Sequence, residues 1–192
     1  DLYRMLYEWK KYVTCDRQID MVYWNAGLWD VVRIFGDEAQ TSVDDYKKYL
    51  EKVCLRLRKL FPKAKICFAT TTPVVEERYT DEFFRKNSDI EKYNKAAECV
   101  LKDKVDFFDD LYSFMQNIEA KNYRDATHFT YDANQKIAAH ICGIIRNTFK
   151  DEIDAVVQAE QLRVSNINKV IEDVVRNKLP LVTWGAGKIF NE

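Results

Sequence analysis

Three short apolar runs, each followed by a segment that repeats at helical spacing, constrain this chain more than any other feature. Residues 20–24 read Asp20-Met21-Val22-Tyr23-Trp24 and run into Asn25-Ala26-Gly27. Residues 65–70 carry Ile66, Cys67 and Phe68 and run into Thr71-Thr72-Pro73. Residues 105–108, Val105-Asp106-Phe107-Phe108, close on Asp109-Asp110. Runs this short, bounded by turn residues, read as buried strands. Between the first two, Val43, Tyr46, Leu50, Val53, Leu57 and Leu60 recur at helical spacing and stop at Pro62. Ser42 and Asp45 stand where an N-cap and its reciprocal acid belong, and Ser88 with Glu91 repeats the pattern for a helix reaching about Lys102. Strands alternating with helices of this length predict an α/β fold, a three-layer α/β/α domain around a parallel sheet.

The flanks extend the pattern. Leu2, Met5, Leu6, Trp9 and Val13 predict an opening amphipathic helix. Residues 74–87 are charged and aromatic without period and read as a loop or a short helical excursion. A loop through Asp125 and His128 precedes a long helix that begins near Tyr131 and passes Ile145. Residues 151–178 continue as helix, with stripes at Ile153, Val156, Val157 and at Ile167, Val170, Ile171, Val174. Leu181 to Trp184 then reads as a strand leading into Gly185-Ala186-Gly187-Lys188. The expected organisation is a domain over residues 1–148, a helical linker over 149–180, and the first strand and glycine turn of a second α/β domain over 181–192. Such a turn resembles the opening of a nucleotide-binding domain, where backbone N–H groups hold a phosphate. Two glycines support a second domain more than they support cofactor binding, and no cofactor or metal is implied.

Composition narrows the function classes. Lys and Arg number 30 and Asp and Glu 31, so the net charge of −1 offers no field for a nucleic-acid backbone. No apolar run approaches the roughly 20 residues that span a bilayer. The five cysteines are odd in number and widely spaced, which reads as free thiols in a reducing compartment and favours the cytoplasm. With only His128 and His140 beside them, a structural zinc site is not expected.

Two features carry chemistry. Asp125-Ala126-Thr127-His128 lies in a predicted loop, at a spacing that lets the carboxylate orient the imidazole and stabilise its charged form. Spacing alone describes more readily a loop Asp that caps a turn and a His packed on a helix start. Asn25 directly follows a strand, at the carboxyl edge where open α/β sheets place their sites, with an amide suited to a developing oxyanion. The alternative is a turn Asn helped by Gly27. Among weaker candidates, His140 lies on the run Ile137, Ala138, Ile141, Ile144 and reads as a core or boundary histidine. Cys67 and Cys142 read as packing. Trp24, Trp29 and Phe129 line either an acyl or sugar pocket or the core. Glu76, Glu77 and Asp81 read as a solvated face.

Taken in order, Asn25-Ala26-Gly27-Leu28-Trp29-Asp30, Thr70-Thr71-Thr72-Pro73 and Asp125-Ala126-Thr127-His128-Phe129-Thr130 resemble the blocks of the SGNH (GDSL-type) hydrolases over residues 1–148. The resemblance implies a flavodoxin-like sheet of order 2-1-3-4-5 and an esterase or acyl hydrolase acting on a small-molecule or glycan ester. It makes His128 the general base, Asp125 its orienting partner and Asn25 the oxyanion donor. Gly27 takes part of that last role, because this sequence reads WNAGLWD where the family reads GxND. The family's nucleophilic Ser block has no counterpart here: of the 24 residues before Asn25, none is Ser or Gly. Ser42 and Ser88 read as caps, Ser113 as helix surface and Ser165 as part of the C-terminal helical region. A base and an oxyanion donor without a nucleophile do not run acyl transfer. The chain therefore reads as a piece of a longer protein that supplies the serine and the central strand upstream. Residues 20–24 are then an exposed sheet edge, a place for homodimer contact. Two other readings stand beside the hydrolase: a non-catalytic binding or scaffold domain of the same fold, and part of a nucleotide-sugar-handling multidomain protein.

Overall fold

Strand β1 (Met21–Trp24) is followed by the two-residue β2 (Arg33–Ile34), helix α1 (Val43–Leu60) and strand β3 (Lys65–Ala69). Then come β4 (Phe83–Phe84), α2 (Asn87–Leu101), β5 (Phe107–Asp109), α3 (Leu111–Gln116), α4 (Tyr131–Thr148) and α5 (Lys150–Asn177). The computed structural model describes Arg4, Leu6, Glu8 and residues 18–177. Most of the expected opening helix, Cys15, the run 181–184 and the glycine turn at 185–187 lie outside the described residues. Two compact units divide the chain, residues 1–134 and 135–192.

In the first unit β1, β3 and β5 form a parallel sheet in that spatial order, with Trp24 beside Phe68 and Phe68 beside Phe108. This is the mixed α/β class the alternation predicts. Among the described residues β1 pairs on one side only, so it is the edge of this sheet. Side chains alternate across the sheet. Val22, Trp24, Ile66, Phe68 and Phe108 belong to one cluster with Leu50, Val53 and Leu57 of α1 and with Ile90, Tyr93 and Leu101 of α2. Phe68 is fully buried and meets Trp24 and Phe108 edge to face, at 4.9 and 6.2 Å between ring centroids. On the other face the Tyr23 hydroxyl donates to Asp109 Oδ2 at 2.6 Å. Cys67 is buried on that face as well, and burial pushes its thiol up to about 12.

Helix α1 forms as the sequence dictates. Ser42 Oγ accepts the Asp45 N–H at 3.1 Å, acids occupy the first turn, and Arg58 and Lys59 occupy the last. Helix α2 starts differently from expectation. It begins at Asn87, with Lys86 as its N-cap, and Ser88 makes no capping bond. The orphan N–H of Asn87 goes to Glu76 Oε1 at 2.7 Å, while Glu91 accepts the Tyr112 hydroxyl at 2.9 Å. Tertiary partners thus replace the local cap. The third strand begins at Phe107 rather than Val105, because the Asp106 carboxylate takes the Ile66 N–H at 2.7 Å where a strand carbonyl would. Residues 74–87 hold a 3-10 turn, Glu76–Arg78, and the strand β4, which pairs antiparallel with β2.

In the second unit the stripe Ile137, Ile141, Ile144 is half-buried, as is His140, and Cys142 is exposed, so the packing role expected for Cys142 does not hold. Cys99 is exposed too, while Cys54 and Cys67 are buried free thiols. No helix among the described residues is long and apolar enough to cross a membrane.

Phe68→Ala removes the ring on which both neighbouring strands pack. It should destabilise the domain by about 3–5 kcal/mol, read from urea unfolding followed by tryptophan fluorescence.

Candidate functional site

The segment 120–130 is a loop tied down by its own backbone and by one arginine. Arg124 N–H donates to His128 O at 2.7 Å and Thr130 N–H to Asn122 O at 2.8 Å, closing the loop on itself. Arg78 donates to the carbonyls of Ala120, Tyr123 and Asp125 at 2.8, 2.8 and 3.0 Å. The Tyr123 ring packs at a tilt of 44° against Phe129, and its hydroxyl donates to Pro73 O. The loop is therefore rigid where its side chains matter.

Within it Asp125 and His128 meet. His128 Nδ1 and Asp125 Oδ2 lie 2.7 Å apart. The other carboxylate oxygen accepts the backbone N–H groups of Thr127 at 2.8 Å and His128 at 2.7 Å. These backbone donors, and then the His128 ring, hold the Asp125 carboxyl far below the usual carboxylate range. Both side chains are solvent-accessible, His128 68 % exposed and Asp125 55 %. With Nδ1 engaged, Nε2 is the ring atom left to exchange a proton with a bound molecule.

Asn25 and Gly27 occupy the loop after β1. Asn25 is exposed, and its Nδ2 donates to Ala69 O at 3.1 Å and Thr70 O at 3.2 Å, lacing the end of β1 to the end of β3. Gly27 is buried with φ +143°, and a Cβ there would lie 2.5 Å from Thr71 Oγ1 and 3.1 Å from the Tyr46 hydroxyl. Only glycine fits this backbone and this close approach. Its carbonyl accepts from Asp30 and Val31, while none of the loop's backbone hydrogen bonds uses its N–H as donor. A cleft of about 570 Å³ opens beside this loop, lined by Asn25, Gly27, Trp29, Gln40, Tyr46 and Tyr49 among others. Neither Asp125 nor His128 lines it.

What joins the two loops is a set of residues the sequence did not single out. Arg85 is 5 % exposed. Its Nε donates to Leu28 O at 2.7 Å, and its Nη1 to the Tyr79 hydroxyl at 3.0 Å. Tyr79 in turn shares a hydrogen bond of 3.0 Å with Thr127 Oγ1, inside the Asp125–His128 turn. The Gly27–Trp29 segment and the His128 loop are thus linked through three side chains. The stretch 74–87 has no period to mark this role; the one cue it offers is an arginine among aromatics. Of the aromatics considered for a pocket, Trp24 is core, Trp29 is exposed over Arg85, and Phe129 packs on Tyr123. Serines stand elsewhere: Ser42 at the start of α1, Ser88 in the first turn of α2, Ser113 on α3 and Ser165 on α5. No cluster of His, Cys, Asp and Glu among the described residues has the makings of a metal site.

The sequence matches no family model and no curated protein.

Two outcomes follow. The folded Asp125 carboxyl titrates below its unfolded counterpart. Its contribution to stability is therefore present above the ordinary Asp value of 3.8 and is lost as pH falls through the depressed folded value. A side-chain ¹³C NMR titration should find Asp125 still ionised where ordinary aspartates have protonated; a midpoint at or above 3.8 contradicts the geometry. Gly27→Ala should cost about 1–3 kcal/mol in thermal unfolding. Adding Thr71→Ala should recover only part of the loss, because the positive φ remains.

Proposed function

We propose that residues 1–148 are an SGNH-type hydrolase domain, a three-layer α/β/α fold contributing its third, fourth and fifth strands, whose activity is ester or acyl hydrolysis. The observation that carries the reading is the Asp125–His128 pair. It is an exposed imidazole fixed through Nδ1 by a carboxylate that is itself pinned by two backbone N–H groups. That is the arrangement a general base needs: one tautomer, one orientation, and a free Nε2. It lies in a loop that follows β5 and α3, linked by hydrogen bonds to the loop at the carboxyl end of β1.

In this reading a serine supplied from outside residues 1–192 attacks the ester carbonyl. His128 Nε2 accepts the serine proton and returns it to the leaving alcohol. Asp125 keeps the ring in place and stabilises the imidazolium. Water then repeats the sequence on the acyl-enzyme. The oxyanion donors come from the Asn25–Gly27 loop. Because both Asn25 amide bonds run to strand-end carbonyls, the Gly27 N–H is the readier donor, and Asn25 joins only by releasing one of its two bonds. No cofactor enters the chemistry. The substrate class the resemblance suggests is an O-acyl group on a carbohydrate or a small ester.

A second reading, a non-catalytic binding or scaffold domain, is favoured by one observation: the Asn25 amide is committed to holding β1 to β3. Hydrolysis of p-nitrophenyl acetate separates the two. The 192-residue chain should be inactive. A longer chain that carries the residues encoded upstream should be active, and His128→Ala in it should lower kcat by about 10³-fold or more. Silence of the longer chain, or activity indifferent to His128→Ala, would favour the binding module.

A further inference from the structure

Helix α5 is exposed over its described length, yet it is not polar all round. Ile153, Val157, Glu160, Val164, Ile167 and Ile171 follow one another at spacings of four, three, four, three and four. This is a repeat of 3.5 residues, apolar at five of its six positions and matched to a left-handed supercoil. Val157, Val164, Ile167 and Ile171 leave 44–47 % of their surface in water. A helix of this length holding that stripe in solvent is short of a partner helix.

We propose that this seam pairs with the same seam of a second copy of the chain, as an antiparallel two-stranded coiled coil. A 3.5-residue repeat is complementary to itself, since each helix supplies both knobs and holes, and a two-fold axis then closes the assembly. Charge sets the direction. Residues 150–160 carry Asp151, Glu152, Asp154 and Glu160 against Lys150 alone. Residues 161–177 carry Arg163, Lys169 and Arg176 against Glu172 and Asp173. A parallel pair would stack Glu160 on Glu160 in the seam and acid-rich half on acid-rich half.

An antiparallel pair avoids both conflicts and opposes the helix dipoles favourably. Its layers join Ile153 to Ile171 of the second copy and Val157 to Ile167 of the second copy. Near the axis Glu160 meets Val164 of the second copy. Glu160 already accepts from Arg163 at 2.6 and 2.8 Å within its own helix. Two such pairs meet at the axis as a four-charge cluster, which fixes the register at some cost in stability. The seam is about 27 Å long, short for a coiled coil, so association is expected to be weak and reversible.

Sedimentation velocity on the 192-residue chain tests this. A shift from monomer to dimer is expected between about 1 and 100 µM, the range of weak interfaces. Val157→Glu with Ile167→Glu should leave monomer at every concentration. Ser165→Glu with Asn166→Glu, on the opposite side of the helix, should leave the dimer intact, and circular dichroism checks that both variants keep their helix. Orientation is read by oxidation, with Cys15, Cys99 and Cys142 replaced by Ser. Ile153→Cys mixed with Ile171→Cys should cross-link, while neither should cross-link to itself. The proposal is overturned by a chain that stays monomeric at about 100 µM, or by a larger oligomer. A dimer that survives Val157→Glu with Ile167→Glu, and so rests on another surface such as the β1 edge, also overturns it, as does self-cross-linking of either single cysteine variant.

Discussion

The buried guanidinium of Arg85 is the contact on which the geometry of the site rests. Burying a cation is costly unless its hydrogens find acceptors. No carboxylate among the described residues hydrogen-bonds to it. Its compensation is the Leu28 carbonyl, the Tyr79 hydroxyl and the faces of Trp29, Tyr79 and Phe83, with centroids 5.2, 5.7 and 5.4 Å from the guanidinium carbon. Those partners come from three short segments: Leu28 and Trp29 after β1, Tyr79 beside the 3-10 turn, and Phe83 of β4. Satisfying the one charge therefore fixes the loop after β1, the 3-10 turn region and, through Thr127, the turn that carries His128. Lysine could not substitute, because a single ammonium has neither the planar fork nor the stacking surface.

The parts of this arrangement that were legible in the sequence are those whose physics is local. Strands β1 and β3 are runs of apolar residues ending in turn chemistry, and both lie within a residue of their expected places. Helix α1 declares itself through Ser42, two early acids and Pro62. The Asp125–His128 contact is equally local: three residues of separation and two backbone donors suffice to build it. What was not legible depends on partners distant in sequence. The pairing of Arg33 with Phe84 and of Ile34 with Phe83 joins strands of two residues, too short to show any period. The start of α2 departs from the expected Ser88 cap because a side chain eleven residues earlier, Glu76, satisfies the helix end. Asp106 shortened β5 by acting as a backbone acceptor, a role that composition does not reveal.

Asn25 illustrates how one residue can satisfy two readings until its hydrogen bonds are seen. At the carboxyl end of β1, a polar amide suits either an oxyanion or a turn. Its bonds to Ala69 O and Thr70 O fall just where β3 ends. The Thr71 hydroxyl and the Tyr46 hydroxyl both donate to Ala26 O, at 3.2 and 2.8 Å, and Asn94 holds the Thr71 backbone from both sides. The loop is thus rigid before any ligand arrives. A rigid loop whose buried glycine keeps an uncommitted N–H is well suited to electrostatic stabilisation, since donors fixed in advance need no reorganisation as charge develops. The same rigidity would serve a binding module, so the loop by itself does not choose between the two readings.

Exposure is the observation that supports the proposed hydrolase reading. A histidine that only supported structure would gain by burying its ring, as Tyr123 and Tyr46 do nearby. His128 is held through Nδ1 and left open at Nε2, and Asp125 is stabilised as an anion by two backbone N–H groups that do not depend on the ring at all. The carboxylate therefore stays ionised and in place whether the imidazole is neutral or charged. An orienting group whose position is independent of its partner's protonation is what proton transfer requires, because the ring must change charge twice in a cycle without losing its alignment. A purely structural turn needs the two backbone bonds and nothing more, so the imidazole seated on the second oxygen is the feature that a scaffold role leaves unexplained.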